Sequence, residues 1–170
     1  MTDPGVVVLG IPIPSTAKVF LTVLGVHVLA GLSCVVSGFI AMLSSKGSGR
    51  HMVAGAIYYW CLTVVLASTT ILSIMRWPHD NHLLILGILS FGCAATGRAA
   101  SRYQWRGWPR LHIVGMGVSY ILLLTAFYVD NGPNLPFWRQ LPTIAYWVGP
   151  GLVGLPVIVY ALRFHPLANR

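Results

Sequence analysis

Five long apolar stretches, separated by short polar connections, determine what this sequence can fold into. They cover about residues 19–43, 52–75, 83–100, 113–129 and 144–162. A helix needs about 20 apolar residues to cross the hydrocarbon layer, where only helices and closed barrels satisfy their backbone polar groups. The sequence therefore predicts an all-α integral membrane protein, a compact bundle of five transmembrane helices. Because the connections are short, we expect residues 1–170 to form a single transmembrane domain.

The composition supports a membrane protein and excludes other classes. Of the 170 residues, 56% are hydrophobic and 8% are charged, whereas a soluble domain carries about 25% charged residues. The formal net charge is +8. Such a charge would indicate nucleic acid in a soluble protein, but here we attribute it to loops that meet anionic lipid. We therefore expect a lipid bilayer as a partner and no nucleic acid.

The basic residues predict the orientation, because cytoplasmic loops carry an excess of lysine and arginine. In a five-helix chain, eight basic residues fall on the side of the C-terminus: Lys46, Arg50, Arg98, Arg102, Arg106, Arg110, Arg163 and Arg170. Three fall on the opposite side: Lys18, Arg76 and Arg139. We therefore expect the N-terminus outside and the C-terminus in the cytoplasm.

Two of the apolar stretches begin with a histidine. His51 opens the second stretch and His112 the fourth, so parallel spans would place both imidazoles at one level on the cytoplasmic side. Such imidazoles could hold a haem iron or another metal, since helix N-termini favour the neutral form that binds metals. Arg98 is a candidate partner for a haem propionate, and Tyr58 shares a helix face with His51. The alternative is that both histidines are ordinary residues of the headgroup layer.

Small residues accompany both histidines. Gly55 lies one turn after His51, while His112, Gly115 and Ser119 form a small and polar stripe. A glycine in this position lets a flat ligand or another helix approach closely. Helix packing explains the stripe as readily as a cofactor groove does.

His27 is the deepest ionisable side chain, eight residues into the first predicted span. Ionisable groups inside a membrane are costly and often mark functional sites. A neutral imidazole bonded to a carbonyl or a serine of a neighbouring helix would explain His27 equally well. The candidate cofactor-binding residues are therefore His51, His112, His27, Arg98 and Tyr58.

A second polar cluster lies in the connection between the second and third stretches. His79, Asp80 and His82 are candidate metal ligands there, although their spacing in a loop fixes no coordination geometry. The other candidate metal ligands are His51 and His112.

Several short motifs lie along the chain, at positions already discussed. They are His27, the pattern H-x-x-x-G-x-x-Y of His51, Gly55 and Tyr58, and the run HIVGMGVSYILLLTAFYVDNGPNLPFW beginning at His112. In these motifs the sequence resembles a family of bacterial predicted multi-span membrane proteins of unknown function. The similarity covers nearly the whole chain from the first span onward. It implies a compact multi-pass protein of the bacterial inner membrane and implies no activity.

Three functions from different classes remain open. The first is a redox protein whose histidines hold b-type haem or a transition metal. The second is a transporter of small molecules or lipids, in which His27 and the cytoplasmic arginines contact the substrate. The third is a non-catalytic accessory subunit that associates with another membrane protein, or with copies of itself, through small-residue helix faces.

Overall fold

The computed structural model of the chain describes residues 6–8, 11–13 and 17–164. Two three-residue strands, Val6–Val8 (β1) and Ile11–Ile13 (β2), pair antiparallel. Five long helices follow: α1 Lys18–Leu43, α2 Gly49–Met75, α3 Asn81–Arg102, α4 Trp108–Asn131 and α5 Thr143–Phe164. Two short 3₁₀ segments, Gly132–Asn134 and Trp138–Gln140, lie between α4 and α5.

All five helices are long and apolar enough to cross a membrane. Each contains one predicted span, so the prediction of five helices and an all-α fold is confirmed for residues 17–164. α3 and α4 continue past their predicted ends, because the helical backbone bonds extend through polar and aromatic residues that flank the apolar runs. The outside N-terminus and cytoplasmic C-terminus stay predictions.

Large apolar side chains cover the outer faces of the helices, the reverse of a soluble protein. Leu29 and Ile74 are each 69% exposed. By contrast, the small residues Cys34, Ser90 and Ser119 are at most 1% exposed. Membrane proteins show this pattern because lipid solvates apolar side chains while helix contacts favour small ones.

The chain forms two compact units, which we describe separately. The first contains α1, α2 and the chain to Leu84, together with Pro133–Arg139. The second contains Ile85–Gly132 and the chain from Gln140, and so holds most of α3 together with α4 and α5. The single transmembrane domain over the whole sequence stays a prediction.

In the first unit, α1 and α2 form an antiparallel hairpin. α2 contributes a buried stripe at helical spacing: Ala54, Tyr58, Leu62, Val65, Thr69 and Leu72. Cys34 of α1 meets this stripe, and its Sγ donates to the carbonyl oxygen of Tyr58 at 3.6 Å. α2 begins where the hydroxyl of Ser48 accepts from the backbone N–H of His51 at 3.2 Å, which caps the helix.

In the second unit, glycines allow α3 and α4 to approach closely. A Cβ atom on Gly115 would lie 2.7 Å from the carbonyl oxygen of Cys93 and 2.9 Å from Cα of Gly97. Both neighbours are backbone atoms, which cannot move aside without shifting a helix. Glycine at position 115 is therefore needed for this crossing.

α4 and α5 pack through two reciprocal contacts of the same kind. The side chain of Ile158 fills the space beside Gly117, and the side chain of Ile121 fills the space beside Gly154. α5 stays one helix although Pro150 lies inside it, as does a second proline further along. Glycine and isoleucine thus supply matching hollows and projections on the two helices.

Candidate functional site

His51 lies in the first turn of α2 and contacts the end of α1. Its Nδ1 lies 2.9 Å from the carbonyl oxygen of Ala41, in the last turn of α1. A carbonyl oxygen only accepts hydrogen bonds, so Nδ1 carries a proton and donates it. The neutral ring therefore has its lone pair on Nε2. This is the tautomer in which Nε2 binds a metal.

Lys46 reaches the same helix end. Its Nζ donates to the carbonyl oxygen of Ala41 at 3.1 Å and to that of Met42 at 3.0 Å. Desolvation of the ammonium lowers the pKa of Lys46 from its ordinary value. The last carbonyls of a helix have no partner inside it, so Lys46 and His51 together satisfy the end of α1. From the sequence, Lys46 served only to predict the orientation in the membrane. A lysine just beyond a helix C-terminus also indicates a cap of this kind.

His112 makes the corresponding contact in the second unit. Its Nδ1 donates to the carbonyl oxygen of Gly97 in α3 at 3.0 Å, which again leaves the lone pair of the neutral ring on Nε2. One turn further along α4, Gly115 lies against the backbone of Gly97. After another turn, the carbonyl oxygen of Ser119 accepts from Oγ of Ser90 at 2.9 Å. The stripe of His112, Gly115 and Ser119 therefore lies against α3.

The glycine that follows His51 has different surroundings. Among the described residues, no atom outside the local backbone lies within 4 Å of the position that a Cβ on Gly55 would take. At Gly115, the backbone of α3 occupies the corresponding space. The space beside the helix is therefore open one turn from His51 and is occupied by α3 one turn from His112.

His27 belongs to a separate polar cluster between α1 and α2. Its Nδ1 lies 3.0 Å from Oγ of Ser68 and 3.4 Å from Oγ1 of Thr69. His27 precedes Ala41, the partner of His51, by fourteen residues along α1, or about 21 Å of helix. One metal ion cannot bind both imidazoles, so His27 and His51 serve different sites. A serine of a neighbouring helix as the partner of His27 is one of the alternatives that the sequence left open, and Ser68 is that serine.

Tyr58 and Arg98, the other candidate cofactor-binding residues, lie in different units. Tyr58 is 2% exposed, so its side chain supports the hairpin and does not line an open surface. Arg98 is half-buried in α3 and follows Gly97, whose carbonyl accepts from His112.

Comparison with protein-family models, with curated proteins and with solved structures gives no match to this chain. The resemblance suggested by the motifs stays a prediction. What the protein does is therefore inferred from its own contacts.

The connection between α2 and α3 is organised by an ion pair. Arg76 Nη1 donates to Oδ2 of Asp80 at 2.8 Å, and Oγ of Ser73 donates to the backbone carbonyl of Asp80 at 3.2 Å. His79 and His82 are both exposed. Among the described residues, no group of three or more His, Cys, Asp or Glu side chains is arranged to hold a metal ion. The metal site expected in this connection is thus without structural support, and the carboxylate of Asp80 binds Arg76.

Proposed function

We propose that the protein is a membrane-bound cofactor carrier in which His51 binds b-type haem or a transition metal, with His112 as a second metal-binding histidine. The observation that supports this function is that each imidazole donates a hydrogen bond from Nδ1 to a backbone carbonyl of a neighbouring helix. His51 donates from Nδ1 to Ala41 at 2.9 Å, and His112 donates from Nδ1 to Gly97 at 3.0 Å. Metal-binding histidines nearly always donate their other ring N–H in this way, because the bond orients the ring and makes Nε2 more basic.

His51 is the stronger of the two candidates. The open space beside Gly55 lies one turn along the same helix face, where a flat macrocycle could approach the helix. The carbonyl of Ala41 and the cap by Ser48 hold the ring and its helix turn in place. His51 would hold a haem bound here, the haem would supply one-electron chemistry, and the imidazole would influence its reduction potential.

Optical spectra test the proposal directly. The protein is produced with a haem precursor, purified in detergent and scanned from about 350 to 600 nm in oxidised and dithionite-reduced forms, with metal analysis of the same sample. We expect a Soret band, or a stoichiometric metal. His51→Gly should abolish this signal, and added imidazole should restore it by occupying the space of the lost ring. His79→Gly, which removes an exposed histidine of the α2–α3 connection, is the matched control and should keep the signal.

His112→Gly measures the second assignment. If His112 binds metal on its own, its loss lowers the amount of bound haem or metal that the same spectra and metal analysis measure. A folded protein without colour or metal would overturn the proposed function, and so would a Soret band that persists in His51→Gly. In the first case both histidines would be hydrogen-bond donors that join neighbouring helices, and in the second case His51 would be such a donor and the haem would be bound elsewhere.

A further inference from the structure

An open groove of about 520 Å³ lies on the α1–α2 hairpin of the first unit. Its volume is within the range of about 300–1,000 Å³ that is usual for ligand sites. Apolar side chains of both helices line its length: Leu32, Val36, Ile40, Val53 and Ile57. Arg50, the second residue of α2, lies at the end next to the α1–α2 connection.

The serines in this groove do not make it polar. Oγ of Ser33 donates to the carbonyl oxygen of Leu29 at 2.8 Å, and Oγ of Ser37 donates to that of Ser33 at 2.5 Å. Both hydroxyl protons are thus used inside α1. Along its length the groove is therefore suited to a hydrocarbon chain, and a polar group of an occupant would find its partner at the Arg50 end.

Arg50 joins this groove to a second cavity of about 540 Å³, which also shares Ile40 with the groove. The other lining residues of this cavity are the apolar Phe39 and Leu43 and the serines Ser44, Ser45 and Ser48. The exposed guanidinium of Arg50 makes no hydrogen bond or ion pair with any residue that the structure describes. A guanidinium matches the oxygens of a phosphate group, and the first turn of a helix adds to the attraction for an anion.

We propose that this surface binds one anionic phospholipid, with an acyl chain in the groove and the phosphate on Arg50. The order of its surfaces, apolar along the hairpin and then cationic and hydroxyl-rich at one end, matches the order of groups in such a lipid. The site is independent of the proposed cofactor, because its lining residues on α2 do not include His51 or Gly55.

Native mass spectrometry of the detergent-solubilised protein tests the charge recognition. Phosphatidylglycerol and phosphatidylcholine with identical acyl chains are titrated separately, and one tightly held phosphatidylglycerol is expected. Arg50→Gln should weaken phosphatidylglycerol binding about fivefold and leave phosphatidylcholine binding unchanged, since one basic residue near an anionic lipid contributes about 1 kcal/mol. Arg106→Gln, which changes an exposed arginine of the α3–α4 connection, is the matched control and should change neither.

Filling the groove tests the recognition of the acyl chain. Val36→Trp places an indole in the groove and should abolish the tightly held phosphatidylglycerol. Val64→Trp, at a comparably exposed position of α2 that does not line the groove, should not. Equal affinity for the two lipids, or an equal effect of the two arginine changes, would mean unspecific boundary lipid and would overturn the proposal. Displacement of the lipid by inorganic phosphate at the same concentration would also overturn the proposal, because the acyl chain would then add no affinity.

Discussion

The hairpin of α1 and α2 and the pair of α3 and α4 share one contact and differ in what surrounds it. In each, a histidine near the start of the second helix donates from Nδ1 to a carbonyl of the first helix, Ala41 for His51 and Gly97 for His112. In each, a glycine follows the histidine within a turn. Beside Gly55 the space is open, whereas beside Gly115 the backbone of α3 fills it. A glycine about one turn after a histidine can therefore leave open space or allow a close helix crossing, and the partner helix decides which.

The largest expected difference lies between the two glycines. Gly115→Ala would bring Cβ to 2.7 Å from the carbonyl oxygen of Cys93 and should cost about 1–3 kcal/mol, as overpacking usually does. Gly55→Ala should stay within about 0.5 kcal/mol of the parent protein. Unfolding in mixed micelles of mild detergent and dodecyl sulfate, followed by circular dichroism, measures both. Equal destabilisation would show that the two glycines have equivalent surroundings.

Replacing the two histidines should change the free energy of unfolding by amounts that differ less than those for the two glycines. His112→Ala is expected to cost about 1 kcal/mol through the lost hydrogen bond. His51→Ala should cost less, because Lys46 still donates to the carbonyl of Ala41 at 3.1 Å. For the same reason, Lys46→Met, which removes the donor, and His51→Ala together should cost more than the sum of the two changes. Strictly additive costs in the same unfolding assay would contradict the conclusion that Lys46 and His51 both satisfy the carbonyl oxygen of Ala41.

Interhelical hydrogen bonds also lie near the middle of each helix pair. Ser68→Ala removes the nearer hydroxyl partner of His27 in the first unit, and Ser90→Ala removes the donor to Ser119 in the second. Each should cost about 0.6 kcal/mol, the average for such bonds inside membranes. Thr96→Ala is the control, because its hydroxyl bonds to a carbonyl of its own helix. A similar loss of stability in Thr96→Ala would mean that the cost of the serine changes comes from helix propensity and not from the interhelical hydrogen bonds.

The smallest loss of stability is expected at the ion pair of Arg76 and Asp80. This pair lies in the α2–α3 connection, outside the two helix contacts compared above. Arg76→Gln should cost about 0.3–0.5 kcal/mol, since the pair is spaced as residues i and i+4 and the guanidinium is partly exposed. The cost should fall as salt is added, because ions screen exposed charges. A cost that does not change with salt would indicate a role in packing for Arg76.

The helices were predictable from the sequence because lipid forces every apolar stretch of sufficient length to satisfy its own backbone. The contacts of His51 and His112 with backbone carbonyls were not, because an acceptor on another helix carries no sequence signature. The different roles of Gly55 and Gly115 were also hidden, since both follow a histidine at helical spacing. Arg50 looked like a topology signal because the groove beside it exists only once α1 and α2 have paired.

The reciprocal packing of α4 and α5 has a mechanical consequence. Gly117 and Ile121 are four residues apart, as are Gly154 and Ile158, and each isoleucine sits over the glycine of the other helix. A slip of one turn in one direction would set the two isoleucines against each other, and a slip in the other would face glycine with glycine across a void. The two helices are thus locked against sliding along each other, and we expect α4 and α5 to move together.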